Sequence, residues 1–382
     1  MSTDAQPNDY GSKRPASPRT GPSAQLGFVA LCGFLLFGSG CPKPVPVPTS
    51  VVSAQKAERL PDLSGAIAEY QKIIDDCKSG AAPAALRAKD DCGLSVFRLA
   101  QLYEQSERYA QAAQTYREVG TLSRDPGKVS RSIFRAADLY AEKLSQTALA
   151  IELTRGLIRS HPGEVATEDA LRAMVRWRRD DPTLLAELDT VAKGQFKHPS
   201  LAGFGWFLGA QLCEDRGQAS EAIRRYDELA KRYPKGPLLD DALMHAAKLL
   251  RSQKRFGEAA ERLERLQRTY VASWFVGHYN LYLLSEGALL LGQIYLEDMR
   301  QPARAIAALA SFLKRQPTSR LADDALLVMA KAAIRRHNPP ALADKAEACR
   351  YLEIAKNKYP DSNQRVGLDY LQNQLTCSSL RH

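Results

Sequence analysis

The chain is poor in the residue arrangements that enzyme chemistry needs. It has no His-Glu-x-x-His, no Gly-x-Ser-x-Gly and no phosphate loop, which sets aside zinc-protease, serine-hydrolase and P-loop mechanisms. Its six histidines are scattered, and no two of its seven cysteines have zinc-site or Cys-x-x-Cys spacing, so neither a metal nor a cofactor is expected. Alternating apolar and polar runs are missing, which removes the strand signal. No basic block is interleaved with aromatics, so the net charge of +10 does not point to nucleic acid; Lys and Arg are dispersed among acids, as from Glu258 to Arg268. Gly203-Phe204-Gly205 with Gly209 looks glycine-rich, but it sits in a helical pattern with no strand before it. The paired acids Asp240-Asp241 and Asp323-Asp324 each precede Ala-Leu, where carboxylates suit a helix start. His161-Pro162 and His198-Pro199 fall at unit ends and suit capping or solvent roles. No catalytic residue is expected.

What the chain does have is a recurring grid of small residue, aromatic, alanine, aromatic and proline. It is clearest in Trp206, Ala210, Ala222, Tyr226 and Pro234. Two helices that cross closely leave room only for a small side chain, here Ala210 and Ala222; large residues fill the space beside the crossing, and proline stops the second helix. The lattice repeats at Val96, Ala100, Ala112 and Tyr116, at Leu243, Ala247, Ala259 and Leu263, and at Ala330, Ala348, Leu352 and Pro360. At Gly292, Tyr295, Ala305, Phe312 and Pro317 it fits with one extra residue in the turn near Pro302. A first unit is expected around Ala66-Ile67-Tyr70-Ile73, and the units around Ala137-Tyr140-Pro162 and from Pro162 to Pro199 are degenerate. Unit-ending prolines at 162, 199 and 234 are 37 and 35 residues apart, and Pro317 to Pro360 spans 43. A period of about 34 with insertions is that of the tetratricopeptide repeat, so the expected fold is an all-α solenoid of seven or eight helical hairpins.

The N-terminal region addresses the chain. A polar segment with Lys13, Arg14 and Arg19 precedes an uncharged stretch from Leu26 to Phe37, too short to span a bilayer but of signal-peptide length. Gly38-Ser39-Gly40-Cys41 follows and resembles the lipobox of bacterial lipoproteins, which implies a diacylglycerol thioether on Cys41. Cleavage after the small-x-small pattern Gly38-Ser39-Gly40 is the alternative, giving a soluble periplasmic protein. Pro42, Pro44, Pro46 and Pro48 form an extended tether, and Pro42 is not the Asp associated with inner-membrane retention, so the outer membrane, periplasmic face, is expected. The expected divisions are signal peptide at 1–40, tether at 41–52, solenoid at 53–362 and a C-terminal cap at 363–382.

Together with this N-terminus, units that end and reopen as in Arg232-Tyr233-Pro234-Lys235-Gly236-Pro237 and Lys358-Tyr359-Pro360-Asp361-Ser362 resemble the BamD-like outer-membrane lipoproteins and the repeat region of YbgF proteins of the Tol-Pal system. The resemblance implies a non-enzymatic scaffold that holds envelope proteins, in barrel assembly, in Tol-Pal function, or as a pilotin-type or motility lipoprotein assisting a secretin. Binding in such repeats uses the concave face of the first helices. Continuing the register places Phe97, Gln101, Phe207, Gln211, Glu214, His245, Lys248, Arg251, Gln293, Lys331 and Arg335 there, with the last four bases, Lys248, Arg251, Lys331 and Arg335, as a basic strip for an acidic segment. Of the cysteines, Cys77 with Cys92 and Cys349 with Cys377 are placed to form disulfides, while Cys213 lies at a core position as a free thiol.

Overall fold

A computed structural model describes residues 49–59, 63–88, 90–194, 198–268 and 280–377. The expected signal peptide, the expected lipidation at Cys41 and the prolines of the expected tether lie outside these residues. Among the described residues every regular element is helical: α1 (Thr49–Ala57), α2 (Ser64–Ser79), α3 (Ala84–Ala88), α4 (Asp91–Gln105), α5 (Tyr109–Leu122), α6 (Pro126–Glu142), α7 (Thr147–Ser160), α8 (Val165–Trp177), α9 (Leu184–Ala192), α10 (Pro199–Asp215), α11 (Ala219–Arg232), α12 (Leu239–Ser252), α13 (Phe256–Arg268), α14 (Asn280–Gln293) with a π-helical turn at Ile294–Asp298, α15 (Pro302–Arg315), α16 (Ala322–Ile334), α17 (Leu342–Lys358) and α18 (Arg365–Gln374). Val51 of α1, within the stretch expected as tether, is already buried beside Ala54.

Consecutive helices pair as hairpins, α4 with α5, α6 with α7, α10 with α11, α12 with α13, α14 with α15 and α16 with α17, and each first helix packs on neighbouring units. The alanine lattice explains the pairing. Ala100, Ala112, Ala137, Ala150, Ala210, Ala222, Ala247, Ala259, Ala305, Ala330 and Ala348 are all fully buried at the crossings. Four residues after the second-helix alanine stands a large core side chain, Tyr116, Tyr226, Leu263, Leu309 or Leu352, each also buried. Burying such a side chain stabilises the fold by about 1.5–3 kcal/mol. The buried residues fall into four separate clusters along the chain, the distributed core of a repeat fold.

The turns inside three of the hairpins, α4–α5, α10–α11 and α12–α13, share one geometry. Arg108, Gln218 and Arg255 donate backbone N–H bonds to Tyr103, Cys213 and Leu250 carbonyls at 2.8, 2.8 and 2.9 Å, with Glu107, Gly217 and Lys254 in the left-handed region at φ 56°, 70° and 60°. That is the bonding of a Schellman cap, which satisfies the last carbonyls of the first helix. Pro162, Pro234, Pro317 and Pro360 stand two residues beyond the ends of α7, α11, α15 and α17, where helices stop.

Two expectations need correction, and a third, the degeneracy of the unit after Pro162, has a structural cause. Pro199 opens α10 rather than closing a unit, since a proline at the first helical position gives up only an N–H that has no intrahelical partner. The extra residue near Pro302 is taken up in the π-helical turn at the end of the first helix, where Met299 N–H reaches the Ile294 carbonyl, and not in the interhelical turn. The unit between Pro162 and Pro199 departs from the alanine lattice: the short α9 packs mainly on α10, and buried Arg178 holds the α8–α9 loop through Asp181 at 2.9 Å, Thr183 at 3.0 Å and Glu187.

Candidate partner-binding face

The first helices α4, α6 and α8 pack in succession on one another, α8 on α10, and α12 on α14 and α14 on α16, forming the face on which the expected partner-binding residues lie. Phe97 is half-buried against the Tyr116 ring at 5.5 Å, and Gln101 accepts a bond from Arg98 at 3.0 Å. Phe207 is buried and packs edge-on against Tyr226 and His245, so it supports the face more than it projects from it. Gln211, Gln293 and Lys331 are half-buried. Glu214 and His245 meet across the α10–α12 junction, with His245 Nδ1 donating to the carboxylate at 3.0 Å while its ring stacks on Tyr226.

The basic strip is not a free strip. Lys248 is paired with Glu286 of α14 at 2.8 Å, and Arg251 with Asp298 at 2.7 Å and Glu297 at 3.6 Å, so both bases are matched by acids of the next unit. Arg335 is the cap residue of α16 and aligns with Ser252 rather than Arg251, which a register of four instead of three residues after Lys331 already implies. Among the described residues Lys331 and Arg335 make no ion pair. The same neutralisation recurs nearer the N-terminus: Arg135 bridges Glu104 and Asp138, and Arg176 bridges Asp138 at 3.6 Å and Glu142 at 3.0 Å. Trp177 Nε1 adds a bond to Glu142 at 2.8 Å, which holds that carboxyl below its usual range. Exposed pairs of this kind stabilise by about 0–1 kcal/mol each, and these run between neighbouring first helices.

A second recurring device was not anticipated. Tyr70, Tyr116 and Tyr226 of second helices donate their hydroxyls to Glu58, Glu104 and Glu214, each twelve residues earlier at the end of the preceding helix or just past it. Glu104 and Glu214 then receive a cation or imidazole from the next unit, Arg135 and His245, each thirty-one residues later. The constant separations of twelve and thirty-one were present in the sequence as a detectable signal. Burial pushes the Glu214 carboxyl up, but the bonds from His245 and Tyr226 outweigh it and leave its pKa lowered. Burial and the adjoining carboxylate push the Tyr226 hydroxyl far above its usual range, so it remains a donor.

The remaining residues singled out in the sequence have structural settings. The structure joins Cys77 to Cys92 and Cys349 to Cys377, and leaves Cys213 buried and free, with burial pushing its thiol up. Asp240-Asp241 and Asp323-Asp324 lie in the first turns of α12 and α16. Gly203, Gly205 and Gly209 are inside α10, where Gly205 lets the helix approach the backbone of α9.

Residues 286–319 and 324–362 match the family model for the tetratricopeptide repeat; these stretches are the α14–α15 and α16–α17 units. Among solved structures the chain is similar to a signal transduction ATPase with numerous domains, carrying a tetratricopeptide repeat sensor, from Pyrococcus horikoshii, at 14% identity and a TM-score of 0.46 over 85% of this chain and 48% of that one. It is also similar to the tetratricopeptide-repeat domain of P58(IPK), at 14% identity and a TM-score of 0.28, over 87% of this chain and 99% of that one. This chain thus spans just under half the length of the first of these. No curated protein matches it significantly in sequence. The fold is an all-α tetratricopeptide-repeat solenoid, and such repeats form scaffolds for protein–protein interaction.

Proposed function

We propose that the chain is a non-enzymatic scaffold of a bacterial cell envelope, anchored through lipid on Cys41 at the periplasmic face of the outer membrane, that holds protein partners along its first-helix face in outer-membrane protein assembly. The observation that carries the scaffold reading is that face itself: neighbouring units present half-buried aromatic, amide and charged groups in register, the surface an extended partner segment needs. The envelope reading is supported by Gly38-Ser39-Gly40-Cys41 and by two disulfides, which persist in oxidising compartments. Because Lys248 and Arg251 are internally paired, the unmatched positive end of the face is at Lys331 and Arg335, and an acidic partner segment meets the scaffold there first.

The test is capture of the full-length chain from cross-linked envelopes, read by mass spectrometry, with metabolic labelling by a palmitate analogue in parallel. Barrel-assembly subunits in the wild-type capture, with label lost in Cys41→Ser, support the reading. Tol-Pal components or a secretin would move the chain to those systems, and equal labelling of Cys41→Ser would remove the anchor.

A further inference from the structure

The second helices α9, α11 and α13 of three successive units are tied together by the same bridge. Three residues after the crossing residue Ala222 stands Arg225, whose guanidinium reaches Asp189 of α9 at 2.6 Å. Three residues after Ala259 stands Arg262, which reaches Asp227 of α11 through two bonds of 2.9 Å. Asp227 lies five residues after Ala222, and the matching position of α13, five after Ala259, is Glu264. The next bridge would run to Glu264 from the residue three after Ala305. That residue is Ala308, and a cleft of about 360 Å³ lies between α13, α14 and α15 where the guanidinium is missing.

The charge of this cleft is unbalanced. Leu291, Ala307 and Ala308 give it an apolar floor, and Arg268, Arg304 and Arg315 stand around it with Glu264 as the one acid lining it among the described residues. Glu264 is already engaged by the Tyr295 hydroxyl and by Arg304 at 3.2 Å, and Arg268 approaches it only at 4.0 Å. Arg315 donates to the Gln267 carbonyl and side-chain oxygens, at 2.8 Å each, and has no acid partner among the described residues. Three guanidinium groups against one carboxylate repel a basic occupant and favour an acidic one.

We propose that this cleft is a second docking site, separate from the first-helix face, for an acidic segment of a protein partner. An aliphatic side chain of that segment fills the space beside Ala308, and flanking carboxylates meet Arg315 and Arg268. The arginine fork suits a carboxylate in two-bond geometry, which gives the site a preference for Glu and Asp over Gln and Asn.

The experiment uses the full chain and an array of end-capped octapeptides, each with one Leu or Ile between two Glu, against the same array with Gln for Glu. Glu peptides are expected to bind at least tenfold more tightly than their Gln counterparts. Ala308→Arg is expected to restore the bridge that α11 and α13 carry, to melt at or above the wild-type temperature, and to lower Glu-peptide affinity at least tenfold. Arg315→Glu, which leaves the apolar floor in place, is expected to do the same, while Lys331→Glu on the first-helix face leaves affinity unchanged. Equal binding of Glu and Gln peptides overturns the proposal, as does a folded Ala308→Arg or Arg315→Glu that binds like wild type. Loss of binding in Lys331→Glu as large as in Arg315→Glu assigns the peptides to the first-helix face instead, and so overturns the proposal.

Discussion

Gly205 and Gly203 lie two residues apart in α10, and the fold makes the same substitution cost more at the first position than at the second. A Cβ at Gly205 would stand 2.6 Å from the Ala192 nitrogen, 3.0 Å from the Ala192 Cα and 3.1 Å from the Leu188 carbonyl, all backbone atoms of α9. No rotamer change relieves such a contact, so α10 must move away from α9. A Cβ at Gly203 meets nothing nearer than a Tyr233 ring carbon at 3.8 Å, an ordinary contact. Replacing glycine by alanine inside a helix gains about 1 kcal/mol of propensity at either site, and overpacking at Gly205 costs about 1–3 kcal/mol against it. Gly203→Ala should therefore stabilise by up to about 1 kcal/mol, and Gly205→Ala should come out neutral to about 2 kcal/mol destabilised. The propensity gain cancels in the difference between the two variants, which isolates the crowding contribution. Because a solenoid opens by units, the measurement is native-state hydrogen exchange of α9 and α10 amides, where 1.4 kcal/mol is a tenfold change in the open population. Equal protection in the two variants would refute the claim that Gly205 sets the α9–α10 distance.

The left-handed turn residues offer a second check: Lys254→Gly, at φ 60°, should stabilise the α12–α13 hairpin by up to about 1 kcal/mol, and Gly217→Ala should destabilise its own by a similar amount, both read by urea unfolding. Glu214 has a folded pKa below its unfolded value of about 4.3, so its contribution is present above that pH and lost as pH falls through the folded pKa; wild type should lose stability at the α10–α12 junction below about pH 4, and Glu214→Gln should flatten that dependence in acid titration. Replacing both Cys349 and Cys377 by Ala opens a loop of 28 residues and should weaken the attachment of α18 by about 3 kcal/mol, seen as faster exchange in α18 with α12 unaffected. Lys248→Glu with Arg251→Glu should loosen the contact between α12 and α14, because Glu286, Glu297 and Asp298 lose their partners; unchanged exchange in α14 would show that those pairs contribute nothing to the register.

The hairpin fold was legible because its causes are local and periodic. A close helix crossing demands a small side chain at a fixed separation, twelve residues from Ala210 to Ala222 and from Ala247 to Ala259, and no other architecture imposes that spacing together with a stop such as Pro234. The same locality explains the readings that failed. A register counted along the chain cannot tell whether an extra residue enters the turn or the helix before it, and at Ile294 the helix widened instead. Pro199 has the residue type of a unit ending, but whether a proline closes one helix or opens the next depends on which neighbouring helix its backbone joins.

The character of the surface was beyond the sequence for a different reason. Lys248 and Arg251 read as a basic strip because a pattern shows what one helix carries, whereas the charge a partner meets depends on acids thirty-eight and forty-seven residues later that the superhelix brings alongside. The cleft at Ala308 is likewise invisible along the chain: one alanine among many becomes a cavity only because stacked second helices place it opposite Glu264, where the two preceding units have an arginine. Sequence alone determined the helical hairpins, their order and their alanine crossings, since those follow from sterics within about a dozen residues. Tertiary structure alone decided which charges cancel and where a space is left open, since electrostatic pairing and packing between units depend on distances across the stack.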